Sequence, residues 1–191
     1  MSVKELYAND ASDLILRSRT HADGPDGVLP LTPETLRNSP SGNIFGMTID
    51  AGMGWDPKAL ANGDVMMIST YGGLKKDDGT TIAVGLHPGH FELDGLLKEA
   101  ADTLKGMGYV PTAAFVTDPC DGRTQGTTGM FDSLPYRNDA SIVMRRLIRS
   151  LPTRKAVIGV ASCDKGLPAM MMALANVCVP SPAQHSLPEN L

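Results

Sequence analysis

The chain has 191 residues, 42% of them hydrophobic and 20% charged, with a formal net charge of -4. That is enough for one domain with a real core, and it excludes a disordered chain. The mild acidity argues against a nucleic-acid partner, and no window approaches the ~18 consecutive apolar residues of a membrane span.

The first twenty residues carry scattered charges and no apolar block, so no export signal is expected. Residues 1–40 show no sustained periodicity, and DGPDG at 23–27 with prolines at 30, 33 and 40 marks turning chain. Residues 41–56 hold four glycines. They are expected to form tight turns that pack Ile44, Phe45 and Trp55 against the core. Residues 1–60 thus read as an irregular, Gly/Pro-rich wrapping segment.

From residue 64 the pattern becomes regular. Val65–Ile68 is a short apolar run expected as a buried strand, and Gly72-Gly73 and 75–79 form a turn. TIAVGL at 81–86 is expected as a second strand. Leu93, Leu96, Leu97, Ala100 and Leu104 recur at helical spacing, predicting an amphipathic helix over 92–105 that Gly106 and Gly108 stop. A strand is expected over 109–116, with Pro111 near its start. A polar loop follows over 117–137. Asn138 or Asp139 is expected to cap a helix bearing Ile142, Val143, Met144, Leu147 and Ile148. Ala156–Ala161 is a buried strand, and 167–177 an apolar helix with Pro168 in its first turn. Strands alternating with helices predict an α/β fold: a mostly parallel sheet flanked by helices over 61–176, followed by a divergent tail over 177–191.

Ligands of open α/β sheets sit beyond the carboxyl ends of the strands. Three strand ends here carry unusual polar residues: His87-Pro88-Gly89-His90, Thr117–Arg123 and Ser162–Gly166. Two of them share a Cys followed by an Asp, at Cys120-Asp121 and Cys163-Asp164. A thiolate suits a soft metal or an iron–sulfur cluster, and a carboxylate suits Mg²⁺. The competing reading makes the cysteines small buried hydrophobes and the histidines surface residues. Three cysteines without Cys-x-x-Cys spacing give no disulfide framework and no zinc pattern, and they point to a reducing, cytoplasmic setting. Loop 117–137 is long for a compact domain, and such loops tend to be functional. Its glycines permit close approach to a ligand, and Arg123 and Arg137 are placed to hold a carboxylate.

DPCDGRTQGTTGMFDSLPYRNDA, followed by a strand and SCDKGLPAMMMAL, resembles the dihydroxy-acid and phosphogluconate dehydratase superfamily. SPSGNIFGMTIDAGMGWD and HPGHFE resemble its sugar-acid branch, of D-xylonate dehydratase type. The resemblance runs from about residue 20 to about residue 176. It implies a hydro-lyase that converts a dihydroxy acid to a 2-keto acid with a [2Fe–2S] cluster and Mg²⁺. By the same resemblance, Cys163 and Cys120 are the cluster ligands. Asp121, Asp164 and Lys165 hold Mg²⁺, the lysine as its carbamate, and Lys165 also has the catalytic role. His87, His90, Arg123 and Arg137 are the candidate substrate contacts.

The partner implied is a small sugar acid, and full-length family members are expected to be homo-oligomers. In the amino-acid biosynthetic branch the matching cysteine lies earlier, where this chain has His87 and His90. Thr128 replaces a histidine common in the branch. Family members also continue beyond this length, to a third cluster cysteine, a distal Glu and a Ser base, so a truncated or frame-shifted end is expected. The alternative is a non-catalytic remnant or interaction module, and an unrelated metal-binding α/β protein is a third reading.

Overall fold

The structure is a computed structural model, and it describes residues 27–178. The expectations for residues 1–26 and for 179–191 of the tail lie outside the described residues. The chain divides into two compact units, residues 1–60 and 61–191.

In the first unit, helix α1 spans Pro33–Asn38 and α2 spans Ser41–Gly52. Thr32 caps α1 through its hydroxyl, which accepts from the Thr35 N–H at 3.0 Å, and Pro33 occupies the first helical position. The expectation of irregular chain is therefore corrected over these stretches. A glycine inside a helix costs only about 1 kcal/mol against alanine. Gly42 and Gly46, which suggested turns, meet no neighbour a Cβ would touch, so they are tolerated rather than required. The expected burial of Phe45 also fails, since it is 65% exposed.

The second unit is built on three parallel strands, β1 (Asp64–Ser69), β4 (Val110–Phe115) and β5 (Arg154–Val160), in the order β4-β1-β5. All six residues of β1 are buried, because its neighbours shield both edges and helices cover both faces. Its side chains alternate. Val65 and Met67 pack on Leu93, Leu97 and Leu104 of helix α4 (Leu93–Gly106). Met66 and Ile68 pack on the opposite face against α6 (Ser133–Arg149) and α7 (Cys163–Cys178), through Met144, Ile148, Ala169 and Met170. The topology explains this division. The chain leaves β1 toward one side to make β4, then crosses back over β1 to make β5. Right-handed crossovers in opposite directions place their helices on opposite faces.

TIAVGL is a correction. Only Thr81–Ala83 forms a strand, β3, and it pairs antiparallel with β2 (Leu74–Lys75) outside the parallel sheet. The connection is a short turn in which the Lys76 N–H donates to the Thr80 carbonyl at 2.9 Å, with Gly79 at φ +83°. A link this short reverses the chain; a parallel neighbour would need a crossover of a dozen residues or more. Two helix starts are also earlier than the pattern suggested. Helix α6 begins at Ser133 rather than after Asn138, and α7 at Cys163 rather than Leu167. Pro135, within the first turn of α6, lacks only an N–H that has no helical partner there.

Candidate functional site

The connections after β1 and β5 diverge to opposite faces, and the carboxyl ends where they part are the place where open α/β sheets hold ligands. Thr70 follows β1 there. Its N–H donates to the Val160 carbonyl at 3.1 Å, and its hydroxyl accepts from the Ser162 N–H at 3.1 Å. The same hydroxyl lies 3.0 Å from His90 Nδ1. His90 arrives on α3 (Pro88–Phe91), a short helix started by Pro88 and capped by His87, whose Nδ1 accepts from the Gly89 N–H at 2.9 Å.

Asp118 comes from the segment after β4, and Cys163 opens α7. Cys163 has φ +61°, the only non-glycine residue with positive φ among those described. Its thiol lies 3.4 Å from Asp118 Oδ2 and accepts from the Gly166 N–H at 3.4 Å. His90 Nε2 is 3.7 Å from the same Asp118 oxygen. The three ligand atoms lie within 4.8 Å of one another, and they form the one such His/Cys/Asp/Glu group among the described residues. His90 and Asp118 are each 1% exposed, yet His90 Nε2 and Asp118 Oδ1 have no hydrogen-bond partner. Burial lifts the Asp118 carboxyl to about 6, opposed by the Cys163 hydrogen bond and the Lys165 charge. Burial also raises the Cys163 thiol and, together with the charge of His87, lowers His90. Each shift favours the uncharged form.

A second, harder group adjoins the first through the opening turn of α7. Lys165 is 3% exposed, and its ammonium contacts Asp121 Oδ2 directly and both Asp164 oxygens at 3.1 and 3.2 Å. Asp121 opens α5 (Asp121–Thr124), and its other oxygen accepts from Ser133 Oγ at 2.6 Å. Two carboxylates converging on one amine are donors for a hard cation, provided the amine is converted to an oxygen donor or displaced.

The structure therefore brings Cys163, Asp164, Lys165, Asp121 and His90 to one edge of the sheet. Cys120 immediately precedes Asp121 and lies outside the His90–Asp118–Cys163 group. Arg123 is exposed, and its Nε donates to the Leu86 carbonyl at 2.6 Å, tying the loop to the β3 hairpin. His87 is exposed, its ring centroid 5.9 Å from that of His90. Arg137, on the second turn of α6, reaches the neighbouring Asn138 Oδ1 at 3.4 Å. Cys178 is exposed at the far end of α7.

Sequence reasoning missed Asp118, Thr70 and Ser133. Asp118 lies within the polar run Thr117–Arg123 that follows β4, whereas the carboxyl end of β1, a strand buried throughout, is not among the three polar strand ends. Ser69-Thr70, a polar pair ending that strand, was the available signal. No helix among the described residues is long and apolar enough to cross a membrane.

Fold and site together define an α/β domain with adjoining soft and hard donor groups at the carboxyl edge of a parallel sheet. Residues 80–183 match the dihydroxy-acid/6-phosphogluconate dehydratase N-terminal family, and the chain belongs to that family. It is 62% identical to two proteins of Escherichia coli K12, the D-xylonate dehydratases YjhG and YagF, over 98% of its own length. A dihydroxy-acid dehydratase of Archaeoglobus fulgidus is 33% identical over 94 residues, 49% of this chain and 17% of that one. The chain spans 27% of YjhG and 28% of YagF.

Proposed function

We propose that this chain is the N-terminal, metal-binding portion of a hydro-lyase that dehydrates sugar acids such as D-xylonate to 2-keto-3-deoxy acids. The observation that carries the reading is the convergence of Asp121, Asp164 and buried Lys165, the last two directly following Cys163, in a chain 62% identical to two D-xylonate dehydratases. The donor chemistry fits the two groups the reading requires. Cys163, beside an unpartnered buried imidazole nitrogen, suits the iron of a [2Fe–2S] cluster, with Cys120 as a further thiolate. Asp121, Asp164 and Lys165 as its carbamate suit Mg²⁺. When bound, these metals supply Lewis acidity toward a departing hydroxyl and a clamp for the substrate carboxylate.

The chain's own residues prepare that chemistry. Ser133 holds one Asp121 oxygen and leaves the other facing Lys165. The first turn of α7 fixes Asp164 and Lys165 relative to Cys163. Of the four candidate substrate contacts, His87, Arg123 and Arg137 are proposed to face the substrate, whereas His90 is buried with its Nδ1 on Thr70. The three free cysteines suit a reducing cytoplasm, and the complete enzyme is read as a homo-oligomer.

The test is a chimera in which residues 1–176 replace the matching part of YjhG, purified anaerobically and assayed for 2-keto acid from D-xylonate. Turnover is expected, together with its loss in Asp121→Asn, Asp164→Asn and Lys165→Ala. A folded, active chimera indifferent to all three substitutions overturns the reading. The 191-residue chain by itself is expected to dehydrate D-xylonate negligibly. The alternative reading, a non-catalytic remnant, is favoured if the chimera folds, binds iron and makes no 2-keto acid.

A further inference from the structure

We propose that His90 Nε2, an Asp118 oxygen and Cys163 Sγ form one nitrogen–oxygen–sulfur chelate for a divalent transition-metal ion. Only the identity of the natural metal, iron, rests on the functional reading above; the chelate follows from the three side chains.

The spacing is that of ligands around a single ion. Bonds of about 2.0–2.3 Å to N, O and S in a tetrahedral site place neighbouring ligand atoms about 3.3–3.7 Å apart. Asp118 Oδ2 is 3.4 Å from Cys163 Sγ and 3.7 Å from His90 Nε2. The second distance is too long for a hydrogen bond and suitable for two atoms sharing a metal. Polarity agrees. His90 Nε2 and Asp118 Oδ1 are buried without partners, and an unpartnered buried polar atom costs about 1–3 kcal/mol. A metal on Nε2 removes one of these costs.

The imidazole is already oriented for the task. A lone pair on Nε2 requires the proton on Nδ1, which then donates to Thr70 Oγ1 at 3.0 Å. Thr70 Oγ1 also accepts from the Ser162 N–H, so both its lone pairs are engaged and the ring is held in one orientation. Metal-binding histidines are typically fixed in this way through their other nitrogen. Glycine makes room for the carboxylate, because a Cβ on Gly166 would overlap Asp118 Oδ2. Thiolate and carboxylate together balance a divalent ion, so the loaded site carries no net charge in its buried surroundings. One thiolate and one imidazole select a borderline transition ion over Mg²⁺ or Ca²⁺.

The test uses Co²⁺ titrated into the reduced, metal-free 191-residue chain. One equivalent is expected to give a thiolate-to-cobalt charge-transfer band. X-ray absorption of the loaded wild-type chain is expected to show one sulfur neighbour and outer-shell scattering from an imidazole. His90→Ala and Asp118→Asn should weaken binding, and Thr70→Val should do so by about 10–100-fold. The absence of a one-equivalent band, or a wild-type spectrum with sulfur but no imidazole, overturns the chelate. The wild-type measurement decides even where a variant fails to fold. The two readings fail separately. Sulfur-only cobalt leaves iron on Cys163 standing, whereas an intact chelate in a chimera whose dehydration ignores Cys163→Ser overturns the functional reading alone.

Discussion

Gly166 sets two physical effects against each other at a single atom. Replacing a helical glycine with alanine ordinarily stabilises by up to about 1 kcal/mol, the full value applying to the helix interior. Here the added Cβ would overlap Asp118 Oδ2 and come within 3.0 Å of Thr70 Cγ2. Both neighbours are fully buried, so neither swings away freely. Overpacking of this kind costs about 1–3 kcal/mol, which exceeds the propensity gain. Gly166→Ala is therefore expected to lower the urea midpoint of the chain and to abolish the cobalt band, and an unchanged or raised midpoint would contradict the packing described. Nothing in the sequence marked Gly166 as special. Its role depends on Asp118, which lies 48 positions earlier and meets it only through the pairing of β4 and β5 with β1. Cys163, Asp164 and Lys165 were legible as a triplet, because a polar cluster directly after an apolar strand is a local signal.

The elements divide along the same line between local and distant causes. β1, β4, β5 and helix α4 were legible, since each is a short apolar run or a 3.6-residue repeat bounded by breakers. Pro111 fell where expected, as the second residue of β4, an edge strand that tolerates a missing donor. The β3 hairpin, the early starts of α6 and α7, and α2 were not legible. Their outcomes turn on what the chain packs against, and the local signals pointed elsewhere. One contact tests the packing of α7 on β5. A Cβ on Gly159 would come within 2.6 Å of Met170 Cγ and 3.0 Å of Leu174 Cδ1. Met170 is buried in the core, so Gly159→Ala is expected to destabilise by about 1–3 kcal/mol, measured by chemical denaturation.

Seen as a whole, the second unit keeps much apolar surface in solvent. Leu167 and Met171, one turn apart on α7, are 50% and 69% exposed, and Phe131 and Leu134 near the start of α6 are 82% and 63% exposed. The apolar helix expected over 167–177 thus turns apolar side chains, not a clean polar face, to solvent. Contiguous apolar surface of this kind marks contact sites for protein, membrane or ligand. The purified chain is expected to enhance the fluorescence of a hydrophobic dye under native conditions, and Leu167→Glu with Met171→Glu is expected to reduce that signal without altering the circular dichroism. A dye signal insensitive to both changes would place the accessible apolar surface elsewhere.

Thr70 joins the ends of β1 and β5 and also steadies His90, so the site doubles as a clasp on the sheet. Any ion held by residues from α3, β4's loop and α7 must be released before those strands can separate. Folding and metal occupancy then share one equilibrium, and a free ion at 100 times its dissociation constant adds about 2.7 kcal/mol to stability. A chelator should accordingly behave as a mild denaturant toward this protein, lowering the melting temperature of the cobalt-loaded chain while leaving that of Cys163→Ser unchanged.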